Sequence, residues 1–242
     1  MKEAVPNLKR RQIVAMGGGG FSMEPENPLL DQFVLDLCGK RKPKVCFVPT
    51  ASGDAEGYIS AFHASFNKLP CAPSHLSLFR TPGADLRSFV LSKDVIYVGG
   101  GNTFNLLVLW RAWGLDRHLK EAWRRGIVLA GISAGSLCWF EEGVTDSFGE
   151  LAPLEGLGFL PGSHCPHYDG EAKRRPAFQR LVGKGKVAAG YAAEDGVGLH
   201  FIGRRLVKTV RSRPNAKHTG LKNKDGRVQE RSIAPFFLGV AP

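Results

Sequence analysis

Ser133 is the residue of this chain best placed to do chemistry. It is centred in Gly131-Ile132-Ser133-Ala134-Gly135, between the apolar run Ile127 to Ala130 and the helix-compatible Ser136 to Phe140. A Gly-x-Ser-x-Gly turn from strand to helix holds its central residue in a strained conformation. It needs small flanking residues so that strand and helix can approach. The hydroxyl then stands exposed, and the amides opening the helix face any oxyanion formed there. Alternatively, the two glycines only tighten a turn that Ser133 caps. As a nucleophile, serine needs an imidazole to take its proton and a carboxylate to fix that imidazole's tautomer. The candidate bases are His164, His167, His200 and His218, of which His200 lies in a strand alternation and His218 in a basic loop. The candidate carboxylates are Asp146, Asp169, Glu194 and Asp195, and the residues alone leave the choice among them open.

Positioning these groups requires a sheet edge. Gln12 to Met16 reads as a strand running into Gly17-Gly18-Gly19-Gly20, with a helix over Leu29 to Leu37. The quartet lacks both the Gly-x-Gly-x-x-Gly register and the P-loop ending, so it reads as a loop where backbone passes close to something, not as a nucleotide site. Lys44 to Val48 is a second strand and Ala55 to Leu69 a helix, within which His63 reads as a surface or packing residue. His75 to Phe79 and Asp94 to Val98 continue the strands, the latter running into Gly99-Gly100-Gly101-Asn102. Strand and helix in alternation through Phe140 imply a mostly parallel, doubly wound sheet whose carboxyl edge carries the ligand site. Glu141 to Pro166, rich in Gly and Pro, reads as loop, Ala172 to Val182 as helix and Val187 to Ala192 as strand. From Val197 the chain is hairpin-like, with turns at Gly203-Arg204 and Asp225-Gly226.

The length of 242 residues fits one α/β domain spanning 1–242. No apolar run is long enough to span a membrane, and the basic Met1 to Arg11 lacks the apolar stretch of a signal peptide, so a cytoplasmic protein is expected. Cys38, Cys46, Cys71, Cys138 and Cys165 show no C-x-x-C spacing and read as reduced thiols; neither a metal nor a cofactor is expected. The net charge of +11 is concentrated in residues 173–231, which hold 16 Lys/Arg against 4 Asp/Glu. These charges match no nucleic-acid motif and are not interleaved with aromatics. They read as a solvated face that favours carboxylate-bearing substrates.

Val98-Gly99-Gly100-Gly101-Asn102-Thr103-Phe104, the serine pentapeptide and Pro166-His167-Tyr168, in this order, resemble peptidase E, the aspartyl dipeptidase family of serine peptidases. The resemblance implies a flavodoxin-like or class I glutamine-amidotransferase-like sheet, with Ser133 as nucleophile and His167 as general base. It also implies an oxyanion hole from Gly100, Gly101 and Ala134, with an acidic third member. Glu194 and Asp146 both occupy family-like positions, and Glu194, ending a strand at the same sheet edge, is preferred. The family's substrate arginine falls in Lys173-Arg174-Arg175-Pro176, which makes Arg174 and Arg175 the expected anchors of a substrate carboxylate, although their register departs from the family's. The expected activity is hydrolysis of short peptides, dipeptides beginning with Asp among them, through an acyl-enzyme. The expected partner is a small peptide, with a homodimer allowed and neither membrane nor nucleic acid expected. Two alternatives remain: an α/β-hydrolase-type esterase, whose chain order Ser133, Asp146, His167 is also satisfied, and a catalytically idle ligand-binding homologue.

Overall fold

A computed structural model describes residues 11–80, 85–224 and 226–239. Residues 1–10 of the basic N-terminal stretch and Asp225 of the expected Asp225-Gly226 turn lie outside the described residues. In chain order the elements are β1 (Gln12–Met16), α1 (Leu29–Asp36), β2 (Lys44–Val48), α2 (Glu56–Phe66), β3 (Ala72–His75), α3 (Leu86–Leu91) and β4 (Val95–Val98). Next come α4 (Thr103–Trp113), α5 (Leu115–Arg124), β5 (Val128–Ile132), α6 (Ala134–Leu137), β6 (Phe140–Phe148), β7 (Glu150–Glu155) and β8 (Leu160–Cys165). The chain continues with α7 (Arg174–Gly183), β9 (Gly190–Ala193), β10 (Val197–Ile202), β11 (Arg205–Arg211), β12 (His218–Lys224), β13 (Arg227–Ile233) and β14 (Phe236–Phe237).

The fold is the α/β class expected, built on an eight-stranded sheet of order β14-β11-β10-β1-β5-β4-β2-β3. Strands β1, β5, β4, β2 and β3 run parallel, and β10 is antiparallel to β1 and β11. Alternate residues of the parallel strands feed two cores. Ile13, Cys46, Ile96 and Leu129 pack with Leu106, Trp110, Leu119 and Trp123 of α4 and α5. Val14, Phe47, Tyr97 and Ala130 pack with Leu30, Val34, Phe62 and Phe66 of α1 and α2. Burial on both faces is why these strands read as continuous apolar runs, without alternation.

Beside this sheet stands a second, six-stranded one of order β13-β12-β9-β8-β6-β7, its own core closed by Phe178 and Val182 of α7. It corrects the reading of Glu141 to Pro166 as loop, for β6, β7 and β8 are strands. Their period-two signal is broken by register shifts between Phe140 and Glu142 and between Thr145 and Phe148, and by Gly162 at φ 72° inside β8. The third strand also lies earlier than expected. It ends at His75, after which the amides of Leu78 and Phe79 go to the Asp54 carboxylate (2.7 and 2.9 Å) and not to a neighbouring strand.

Candidate active site

Ser133 lies in the tight turn between β5 and α6 at φ 56°, ψ −115°, a conformation that L-residues rarely adopt. Small neighbours make the turn possible. A Cβ on Gly131 would meet the Gly135 carbonyl oxygen at 2.0 Å, and one on Gly135 would meet that of Val98 at 2.3 Å. The Ser133 amide donates to Met16 O (3.1 Å), tying the elbow to the end of β1. The Gly99–Gly101 loop leaves neighbouring β4 on the same sheet edge, and a Cβ on Gly100 would stand 3.3 Å from the Ser133 Cβ and 3.7 Å from its Oγ. The Gly100 amide donates to the Tyr58 hydroxyl (3.3 Å). Ala134 opens α6, where first-turn amides have no partner within the helix.

His167, just past the end of β8, is likewise strained, at φ 53°. Its Nδ1 lies 2.6 Å from Asp195 Oδ1, with side-chain exposures of 13% and 8%. A carboxylate only accepts, so Nδ1 carries a proton that points at Asp195. Burial pushes the Asp195 pKa up, but the His167 hydrogen bond and the charges of His167 and Arg213 outweigh it. Asp195 therefore titrates below an ordinary aspartate. Its backbone is fixed too, since its amide donates to Asp169 Oδ1 (2.8 Å).

The first glycine loop supplies the missing connection. Gly18 bridges to Asp195, and a Cβ there would meet Asp195 Oδ1 at 2.1 Å. A Cβ on Gly17 would meet the Ala193 and Glu194 carbonyl oxygens at 2.4 Å. The glycines let the end of β1 run directly against the turn that carries Asp195. Ser133 N–Met16 O, Gly18–Asp195 and Asp195–His167 thus form a continuous chain of contacts at one sheet edge.

Several expectations are corrected by this geometry. Glu194 does not meet His167: its Oε2 accepts the Lys217 amide (2.7 Å), and the close passage of Gly18 presents residue 195 to the imidazole instead. Asp146, the alternative, is 56% exposed and lies 3.5 Å from Arg174. Arg174, expected to face substrate, is 4% exposed, with Nε on Glu171 (2.8 Å) and Nη1 on Val144 O (3.0 Å). Arg175 pairs with Glu230 (2.5 Å) and lies over the Tyr168 ring. Each arginine has protein acceptors of its own.

The other three candidate bases are buried. His164 is buried between Tyr191 O and Ser136 Oγ (both 3.0 Å), and burial brings its pKa down to about 3. His200 meets Gln12 (3.0 Å), while His218 is buried at the start of β12. Asp195 was among the sequence candidates, but nothing local distinguished it from Glu194. The signal was the distant Gly17-Gly18 pair, whose close approach to residue 195 only the fold reveals.

Comparison with known proteins agrees with this architecture. Residues 13–209 match the profile of Peptidase family S51. The chain is 56% identical over 229 residues to the uncharacterized peptidase YgaJ of Bacillus subtilis (strain 168), covering 95% of this chain and 100% of that one. It is 29% identical over 129 residues to Peptidase E of Streptomyces coelicolor, covering 52% of this chain and 51% of the relative. Among solved structures, a peptidase from an acI-B1 Actinobacterium superposes with a TM-score of 0.66 at 20% identity, over 92% of this chain and 96% of that one. A putative Peptidase E from Listeria monocytogenes EGD-e superposes with a TM-score of 0.59 at 21% identity, over 84% of this chain and 98% of the other.

Proposed function

Because this chain belongs to peptidase family S51, we propose that it is a serine peptidase that hydrolyses short peptides through an acyl-enzyme on Ser133. The observation that carries this reading is the 2.6 Å contact of a strained His167 with a buried, ionised Asp195 at the sheet edge that also bears a strained Ser133. In the first step His167 Nε2 takes the Ser133 proton as Oγ attacks the scissile carbonyl carbon. Asp195 holds the Nδ1–H tautomer and stabilises the imidazolium. The carbonyl oxygen becomes an oxyanion beside the Gly100-Gly101 loop and the Ala134 amide, with the Gly100 amide itself directed at the Tyr58 hydroxyl. The imidazolium then protonates the leaving amine, the C–N bond breaks, and water activated by the same imidazole releases the acyl group.

Preference for an N-terminal aspartate loses the arginine support expected from sequence, since Arg174 and Arg175 are engaged elsewhere. The test is a panel of dipeptides and tripeptides differing in the first residue, run on wild type and Ser133→Ala. The reading predicts turnover by wild type and a loss on the order of several powers of ten in Ser133→Ala. It also predicts that Arg175→Glu leaves the ratio of Asp- to Ala-initiated cleavage unchanged. Undiminished turnover by Ser133→Ala would refute the serine mechanism, and a collapsed ratio in Arg175→Glu would restore that arginine to the pocket.

A further inference from the structure

Tyr58, on the first turn of α2, plays no part in the triad, yet it touches the loop that faces the nucleophile. Its ring packs on Phe21 and Phe47 (centroids 5.4 and 5.0 Å) and fills the space over Gly99, where a Cβ would meet Tyr58 Cε1 at 2.8 Å. Its hydroxyl accepts the Gly100 amide proton at 3.3 Å, and Gly100 abuts Ser133. That amide is one of the donors expected to meet the oxyanion, and in this structure it is already engaged. A phenol that accepts one hydrogen bond still has a proton to give, and accepting polarises it to donate more strongly.

On the serine-peptidase reading above, we propose that the Tyr58 hydroxyl is itself a donor of the oxyanion hole, delivering the Gly100 dipole to the substrate carbonyl oxygen through a Gly100 N–H, Tyr58 O–H, oxygen relay. The phenol keeps its proton throughout and gives only a hydrogen bond, which strengthens as negative charge develops on the oxygen. Burial raises the phenol's pKa, so the group remains a donor at neutral and mildly alkaline pH. Packing on Phe21 and Phe47 holds the ring so that little reorganisation accompanies that donation.

Tyr58→Phe tests this, because it removes the hydroxyl, keeps the ring packing and frees the Gly100 amide. If Tyr58 is a donor, kcat falls about a hundredfold while KM changes little, as for loss of one oxyanion donor. A peptide aldehyde, whose adduct on serine carries the developing oxyanion, should lose affinity by a similar factor. A substrate-like peptide that cannot be cleaved should bind Tyr58→Phe and wild type alike. If instead Tyr58 merely occupies the Gly100 amide, Tyr58→Phe would match or exceed wild type, and that result overturns the proposal. Equal losses for aldehyde and uncleaved peptide would also overturn it, as they would mark a binding or folding defect. Ser133→Ala assayed alongside separates the two levels: if it retains turnover, the peptidase reading falls first and this proposal with it.

Discussion

The choice between Glu194 and Asp195 turns on one residue of register. Both carboxylates follow β9, but only Asp195 reaches His167, while Glu194 is tied to the Lys217 amide. Burial raises the Glu194 pKa, whereas the imidazole contact lowers that of Asp195. The pair of isosteric variants therefore discriminates sharply. Asp195→Asn should lower kcat by on the order of a thousandfold or more, since an amide side chain can hold the wrong imidazole tautomer. Glu194→Gln should stay within a few-fold of wild type, and the reverse ranking in steady-state kinetics would return the role to Glu194. Ser133 was legible because its signal is local: glycine spacing dictates the turn. His167 was legible only through its neighbours Pro166 and Tyr168, and Asp195 could not be separated from Glu194, since adjacent acidic residues look alike until a distant loop selects one.

At the scale of elements, the central sheet was legible because strands buried on both faces have a strong composition. In the second sheet the strands at β9 and β13 were legible, but β6, β7 and β8 were not, since register shifts break their alternation and Gly143, Pro153 and Gly162 interrupt them. The first glycine loop illustrates how an element can be recognised while its purpose is hidden. Gly17-Gly18 serves the approach of β1 to the turn after β9, and the two positions should respond differently to alanine. At Gly17 the added methyl would strike backbone oxygens at 2.4 Å, so the fold itself must shift. At Gly18 it would strike the Asp195 carboxylate at 2.1 Å, a side chain that can rotate away and release His167. Gly18→Ala should therefore fold, with a thermal midpoint within several degrees of wild type, and lose about a hundredfold or more in kcat. Gly17→Ala should show its loss chiefly in thermal unfolding. Native turnover in Gly18→Ala would mean that the close approach to Asp195 does not set the triad.

The molecule as a whole carries opposed buried titrations. Asp31, hydrogen-bonded by Tyr97 (2.8 Å), has its pKa raised by burial from 3.8 to about 7. The folded state thus holds a proton that the unfolded chain has released, and stability falls as pH rises from about 4 to 7. His164 acts oppositely: its pKa is lowered by burial from 6.5 to about 3, so its contribution is lost as pH falls from about 6.5 to 3. Asp31→Asn removes the first slope alone. Relative to wild type its stability should climb steadily between pH 4 and 7, by about 1.4 kcal/mol per unit at most, in denaturant titrations at several pH values. A pH-independent difference would show that Asp31 is ionised in the folded state. Among the described residues no helix is long and apolar enough to cross a membrane, and part of the C-terminal positive charge is matched locally, as in Arg204–Glu141 and Arg213–Glu24. Covalent trapping interrogates Ser133 most directly. After incubation with a fluorophosphonate, intact-mass and peptide mass spectrometry should find a single phosphonyl adduct on Ser133, absent in Ser133→Ala and formed far more slowly in Asp195→Asn. An unmodified wild-type protein, or an adduct on another residue, would contradict the assignment of Ser133 as nucleophile.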